Sequence, residues 1–167
     1  MNPISVCILT VSDRSFHKLR EDLSGPKLKD FIEKKGWQVL DTRIVPDEIQ
    51  KIQEVLKDWS ESSTSPQVIL TTGGTGFAPR DVTPEATLKV VEKQAPGLAE
   101  LMRFKGLDTS PYAMLSRGIV GVHKKTIIIN LPGSPKAAVE SISSISEILP
   151  HAIALLIEDP GAETQHS

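Results

Sequence analysis

Four short stretches of this chain carry residue types suited to phosphate chemistry. Gly73, Gly74, Thr75 and Gly76 stand together directly after the apolar run 67–72. Missing side chains at such a strand exit let backbone N–H groups approach an anion. No Gly-Lys-Ser/Thr follows, so the cluster is not a Walker A loop. In the frame that starts at Gly74, Pro79 takes the third glycine position of the dinucleotide fingerprint. A tight strand-exit turn is the plainer alternative. Pro132, Gly133 and Ser134 form a second stretch of this kind after the run 126–131. A helix N-terminus bearing Ser134 offers free N–H donors and a favourable dipole, or Ser134 simply caps that helix. Two such loops on one sheet edge fit a polyphosphate.

Two carboxylates stand just beyond strands, Asp47 and Asp81. Magnesium prefers one or two carboxylates, several waters and the phosphates of its substrate, so the pair suits a nucleotide-bound Mg²⁺. Each residue also has a structural alternative. Asp47 lies three residues before Gln50, as in a capping box, and Asp81 can pair with Arg80 or lead into a helix cap at Thr83. Ser12 and Asp13 follow the first apolar run, where they meet a polar ring or phosphate, or shape a turn. Ser116 and Arg117 remain open between substrate contact and plain surface. The histidines His17, His123, His151 and His166 lack metal-ligand spacing, which argues against zinc.

Alternating strands and helices must position these groups. The run 4–10 is apolar and β-branched, as a strand buried on both faces requires. Ser24 is expected to cap a helix whose Leu28, Phe31 and Ile32 share a face, with Gly36 ending it. A strand over 37–45 precedes a helix striped by Ile49, Ile52, Val55, Leu56 and Trp59. The strand 67–72 leads through the glycine cluster to a helix capped at Thr83, with Pro84 at its first position, and extending to about residue 93. A further helix is expected over 96–105. The stretch 106–125 is ambiguous, with room for a hairpin turning at 121–125. The last strand, 126–131, feeds a helix whose Ala138, Val139, Ile142 and Ile145 are buried, and a final helix covers 150–158. This order implies right-handed βαβ units and a mostly parallel sheet, with ligands outside the carboxyl ends of the strands.

The 167 residues fit one α/β domain over 1–160, with 161–167 a flexible tail or the start of a linker. Aromatics make up only 4%, so aliphatic residues must fill the core. Nineteen Lys and Arg against twenty-one Asp and Glu give a net charge of −2 without a basic stripe, which argues against nucleic acid. The first apolar run is too short for a membrane span. The single Cys7 sits within it, so it reads as a buried strand residue that permits a reducing compartment.

The run TTGGTGFAPRDVTPEAT over 71–87 is joined by LTVSDR over 9–14, VPDE over 45–48, MLSR over 114–117 and NLPGS over 130–134. Together they resemble the molybdopterin adenylyltransferase family, in particular its gephyrin-type members, across roughly residues 4–157. The long run is highly specific, whereas VPDE or MLSR alone is weak. The resemblance implies a three-layer αβα fold, a homotrimer, and transfer of AMP from Mg-ATP to the terminal phosphate of molybdopterin in the cytoplasm, with pyrophosphate released. It makes Asp47 and Asp81 the catalytic, metal-associated aspartates and residues 73–76 the nucleotide cradle. Ser116 matches the substrate region, and Ser12, Asp13, Pro132, Gly133 and Ser134 match further binding positions. The same fold also serves as the molybdopterin-binding part of molybdenum insertases, and as a trimeric scaffold module in multidomain gephyrin-like proteins. Both remain alternatives.

Overall fold

A computed structural model describes residues 3–158; the expected tail at 161–167 lies outside them. In chain order the elements are β1 (Ser5–Val11), α1 (Asp13–Phe16), α2 (Ser24–Lys34), β2 (Gln38–Val45), α3 (Ile49–Glu61), β3 (Val68–Thr72) and α4 (Thr83–Leu88). There follow β4 (Lys93–Gln94), α5 (Pro96–Gly106), a 3-10 turn (Pro111–Leu115), β5 (Val120–His123), β6 (Thr126–Leu131), α6 (Pro135–Ile145) and α7 (Leu149–Leu156). One six-stranded sheet runs in the order β2-β1-β3-β6-β5-β4. The first four strands are mutually parallel, while β5 and β4 form antiparallel pairs at the far edge.

Strand alternation explains the uninterrupted apolar runs. Val6 and Ile8 of β1, Val68 and Leu70 of β3, and Ile127 and Ile129 of β6 face one side, where α2, α5, α6 and α7 supply Leu28, Met102, Ile142 and Ile153. Cys7, Leu9, Ile69 and Ile128 face the other, against Ile52, Leu56 and Trp59 of α3 and Ala86 of α4. With period-two alternation and helices on both faces, these strands are buried throughout and mostly apolar. The result is a three-layer αβα sandwich. Burial raises the Cys7 thiol to a pKa of about 11, so it is un-ionised at neutral pH.

Several expectations need correction. Ser24 does not cap α2; it is the first helical residue, and Asp22 Oδ1 accepts from the N–H groups of Ser24 and Gly25 at 3.1 Å each. A carboxylate two residues upstream does the work expected of the hydroxyl. Thr83 likewise begins α4 rather than capping it, and its hydroxyl donates to Gly73 O at 2.9 Å. The helix expected to reach residue 93 stops at Leu88. Beyond it Glu92 N–H donates to Val122 O at 2.8 Å, and Lys93 and Gln94 pair with β5 as an edge strand. Sheet pairing there overrides helical spacing. The hairpin falls within the expected stretch, turning at Lys124, whose φ is +51°.

Candidate active site

In the sheet order, β2 and β3 lie on opposite sides of β1, so the chain reverses direction there and leaves a crevice at the strand ends. Three loops meet at it. Ser12 N–H donates to Val45 O at 2.9 Å, Gly73 N–H to Leu131 O at 3.2 Å, and Thr72 Oγ1 to Pro132 O at 2.7 Å. Gly73 and Gly74 have φ of +99° and +64°, and a β-carbon on either would collide with Val11 O or Thr83 Oγ1 respectively. Glycine is required at both for conformation and for space.

The loop's polar backbone is sorted by direction. Its carbonyls at Gly73 and Gly74 accept from Thr83 Oγ1 and Thr83 N–H, and Thr75 O accepts from Arg117 N–H at 2.9 Å. Gly76 O and Asp81 O accept from Arg117 Nε and Nη2 at 2.8 and 2.7 Å. Among the described residues, the N–H groups of Gly74, Thr75 and Gly76 meet no protein acceptor. Consecutive amides with their carbonyls tied back make an anion-binding concavity.

Beside it stand the carboxylates. Asp13 N–H donates to Asp47 Oδ2 at 2.7 Å, and Asp47 N–H returns a bond to Asp13 Oδ1 at 3.0 Å. Asp47 therefore does not cap α3, which starts without a side-chain cap. Arg80 grips Asp13 through Nε and Nη2 at 2.6 and 2.9 Å, so it does not pair with Asp81. Asp81 closes its own turn instead, its Oδ2 accepting from Ala78 N–H at 3.0 Å. The Arg80 hydrogen bonds hold the Asp13 carboxyl below its ordinary range. Burial, reinforced by the charges of Asp13 and Asp81, pushes that of Asp47 up. Each of Asp47 and Asp81 keeps Oδ1 outside these bonds. No group of three or more His, Cys, Asp or Glu is placed to hold a metal among the described residues. Two carboxylate oxygens without a complete cage fit a cation that brings its remaining ligands from phosphate and water, as Mg²⁺ does.

Two cavities of about 550 and 560 Å³ adjoin here, separated by Gly74, Asp81, Gly133 and Ser134, which line both. Ser12, Asp13, Asp47 and Gly73 line the more polar one. Thr75, Gly76, Ser116 and Pro132 line the other, together with Met102, Tyr112 and Leu115. Twelve of the residues singled out in the sequence thus line these two cavities, whereas Arg117 lines neither and bonds the back of the glycine loop. Ser134 also caps α6, its Oγ accepting from Ala137 N–H at 3.5 Å, so its capping alternative holds too. Ser116 faces the second cavity, its Oγ accepting from Gly118 N–H at 3.3 Å.

Three groups have site roles that the sequence did not disclose. Arg80 turns toward Asp13, and Arg117 anchors the glycine loop. Asn130 is buried, its Nδ2 donating to Thr71 Oγ1 and Thr87 Oγ1 at 3.0 Å each and its Oδ1 accepting from Ile119 N–H at 3.3 Å. An Asn within the otherwise apolar strand TIIINL is the signal that marks it, since a buried amide needs several partners.

The fold and site define a class of α/β domain whose ligands bind outside the carboxyl ends of the strands, at the topological switch point. Residues 7–151 match the family model described as a probable molybdopterin binding domain, and the chain belongs to that family. It is 45% identical over 95% of its length to the molybdenum cofactor synthesis protein cinnamon of Drosophila melanogaster, and 38% identical over 97% to gephyrin of Dictyostelium discoideum. It spans only 26% and 24% of those two proteins. Against the molybdopterin adenylyltransferase of Helicobacter pylori strain 26695 it is 38% identical, covering 94% of this chain and 90% of that one. The crystal structure of the molybdopterin biosynthesis enzyme MoaB from Thermus thermophilus superposes with a TM-score of 0.87 at 45% identity, over 94% of this chain and 98% of that one.

Proposed function

We propose that the chain is a molybdopterin adenylyltransferase that transfers AMP from Mg-ATP to the terminal phosphate of molybdopterin in molybdenum cofactor biosynthesis. The observation that carries this reading is the run of outward amides at Gly74, Thr75 and Gly76 beside Asp47 and Asp81. The name of the Helicobacter pylori relative, nine-tenths of which the chain covers, supports the substrate.

In this reaction a phosphate oxygen of molybdopterin bonds to the α-phosphorus of ATP, the bond to the bridging oxygen breaks, and pyrophosphate leaves. The attacking phosphate is ionised at neutral pH, so the protein needs no strong general base. Its residues supply alignment and charge stabilisation. The amides of 74–76 donate to phosphate oxygens where charge accumulates, and their orientation is set before substrate arrives. Asp47 and Asp81 would hold the cation, with Asp13 N–H and Ala78 N–H fixing one carboxylate oxygen of each. A Mg²⁺ bound there would offset negative charge on the polyphosphate. Ser12, Asp13, Pro132, Gly133, Ser134 and Ser116 orient the two substrates across the adjoining cavities.

The proposed setting is the cytoplasm, and the proposed assembly a homotrimer. No single helix among the described residues is long and apolar enough to cross a membrane. The partial coverage of cinnamon and gephyrin favours a second reading, in which the domain is the molybdopterin-binding part of a molybdenum insertase or a trimeric scaffold module. Incubation with ATP, Mg²⁺ and molybdopterin, without molybdate, separates them. A transferase accumulates adenylyl-molybdopterin and pyrophosphate; an insertase-type or purely scaffolding domain accumulates neither.

A further inference from the structure

We propose that Arg117 is the positioning residue that aims the glycine loop and Asp81 at the substrate; this rests on the adenylyltransferase reading. The loop between β3 and α4 has no regular structure of its own, and its tip is open to water, with Phe77 71% exposed. Such a segment samples many conformations unless something outside it fixes them. One residue does so at both ends. Arg117 N–H holds Thr75 O, Nε holds Gly76 O and Nη2 holds Asp81 O, while Nη1 is tied to Glu85 at the start of α4.

Each bond has a consequence for the site. The main-chain N–H of residue 117 holds Thr75 O and so turns the Gly76 amide away from it, a bond that survives substitution, while the Arg117 side chain fixes the next peptide plane through Gly76 O and the far end of the loop through Asp81 O, because the two ends of a peptide plane point oppositely. Holding Asp81 O fixes the backbone from which the Asp81 carboxylate projects. Arg117 itself is seated by Arg103, whose Nη1 donates to Gly118 O at 2.9 Å, so α5 braces the loop through residues 116–118. The planar guanidinium fork suits the task, since it presents several donors in fixed directions where lysine offers a single mobile point charge. The bond to Arg117 keeps the Glu85 carboxyl below its ordinary range, in accord with a persistent ion pair.

The test compares wild type, R117A, R117K, E85Q, D81N and R117A/D81N. Turnover, KM for ATP and for molybdopterin, thermal midpoint, and amide hydrogen exchange of residues 73–82 are measured. R117A and R117K are expected to speed exchange in that segment and to lower kcat about 10- to 100-fold, the range for groups that orient a reacting ligand. KM for molybdopterin changes little. The R117A/D81N double variant loses less than the product of the two single losses, because part of the Arg117 effect passes through Asp81. If R117A fails to fold, R117K and E85Q carry the same comparison. Unchanged loop exchange, a fully active R117K, or losses that multiply in the double variant would overturn the proposal. A wild-type protein without adenylyl transfer removes the proposed function instead, and the exchange data still judge whether Arg117 fixes the loop.

Discussion

Replacing Gly74 with alanine places a methyl group where the loop has no room. Its β-carbon would overlap Thr83 Oγ1 and lie 3.1 Å from Asp47 Oδ1, on a backbone with φ of +64°. The left-handed conformation costs a non-glycine residue about 1–2 kcal/mol. Overpacking against the fully buried Thr83 adds about 1–3 kcal/mol, and if Thr83 rotates away its bond to Gly73 O is lost for about 1 kcal/mol more. A loss of about 4 kcal/mol lowers the thermal midpoint by about 8–16 °C for a chain of this size. Removing the obstructing oxygen isolates the steric part. In G74A/T83A the collision is gone, so the double variant is more stable than the sum of the single losses predicts by about 1–3 kcal/mol. Gly97 in α5 is the control, since a β-carbon there meets nothing within 4 Å. G97A is expected to gain about 0.5 kcal/mol. Thermal and urea denaturation of the four variants measure these quantities. Single-variant losses at G74A and T83A that add without coupling, or a G74A as stable as wild type, would refute the close packing of the loop on α4.

Further variants probe the carboxylates and the buried amide. Burial and the neighbouring Asp13 and Asp81 raise the Asp47 pKa on folding, so the folded chain binds that proton more tightly than the unfolded one and loses stability as pH rises from the unfolded to the folded value. D47N therefore raises the thermal midpoint of the unliganded protein at neutral pH, with the gain vanishing below the ordinary aspartate range; a lower midpoint at neutral pH contradicts this. D81N keeps the fold but cuts kcat about 100-fold and weakens the Mg²⁺ dependence of turnover, and equal activity with unchanged metal dependence removes its cation role. N130A removes the acceptor of the Ile119 amide and a donor to the buried Thr71 and Thr87 hydroxyls, and costs about 2–4 kcal/mol in urea denaturation.

Much of this arrangement was legible because local patterns and tertiary demands agree. Apolar β-branched runs at β1, β3 and β6 mark strands covered on both sides, and each leads into a loop of glycine, serine or aspartate that the topology brings to one rim. The less legible features depend on contacts distant in sequence. Whether Asp47 caps a helix or faces the site is decided by Asp13, 34 residues away. Arg117 reaches a loop 36 to 42 residues upstream, and no spacing rule links the two. The truncated α4 has the same origin, because Lys93 and Gln94 gain a strand partner in β5 that the local sequence does not announce. The 3-10 turn at Pro111–Leu115 holds proline, tyrosine, alanine, methionine and leucine without a helical or strand period, and takes its form from the Ser110 cap and its packing on α5.

A crystal structure of the protein with a non-hydrolysable ATP analogue and Mg²⁺ tests the central claim most directly. Triphosphate oxygens within hydrogen-bonding distance of the amides of Gly74, Thr75 and Gly76, with the cation on Asp47 and Asp81, is the predicted result. Nucleotide bound away from residues 72–81, or a cation that touches neither aspartate, would contradict it.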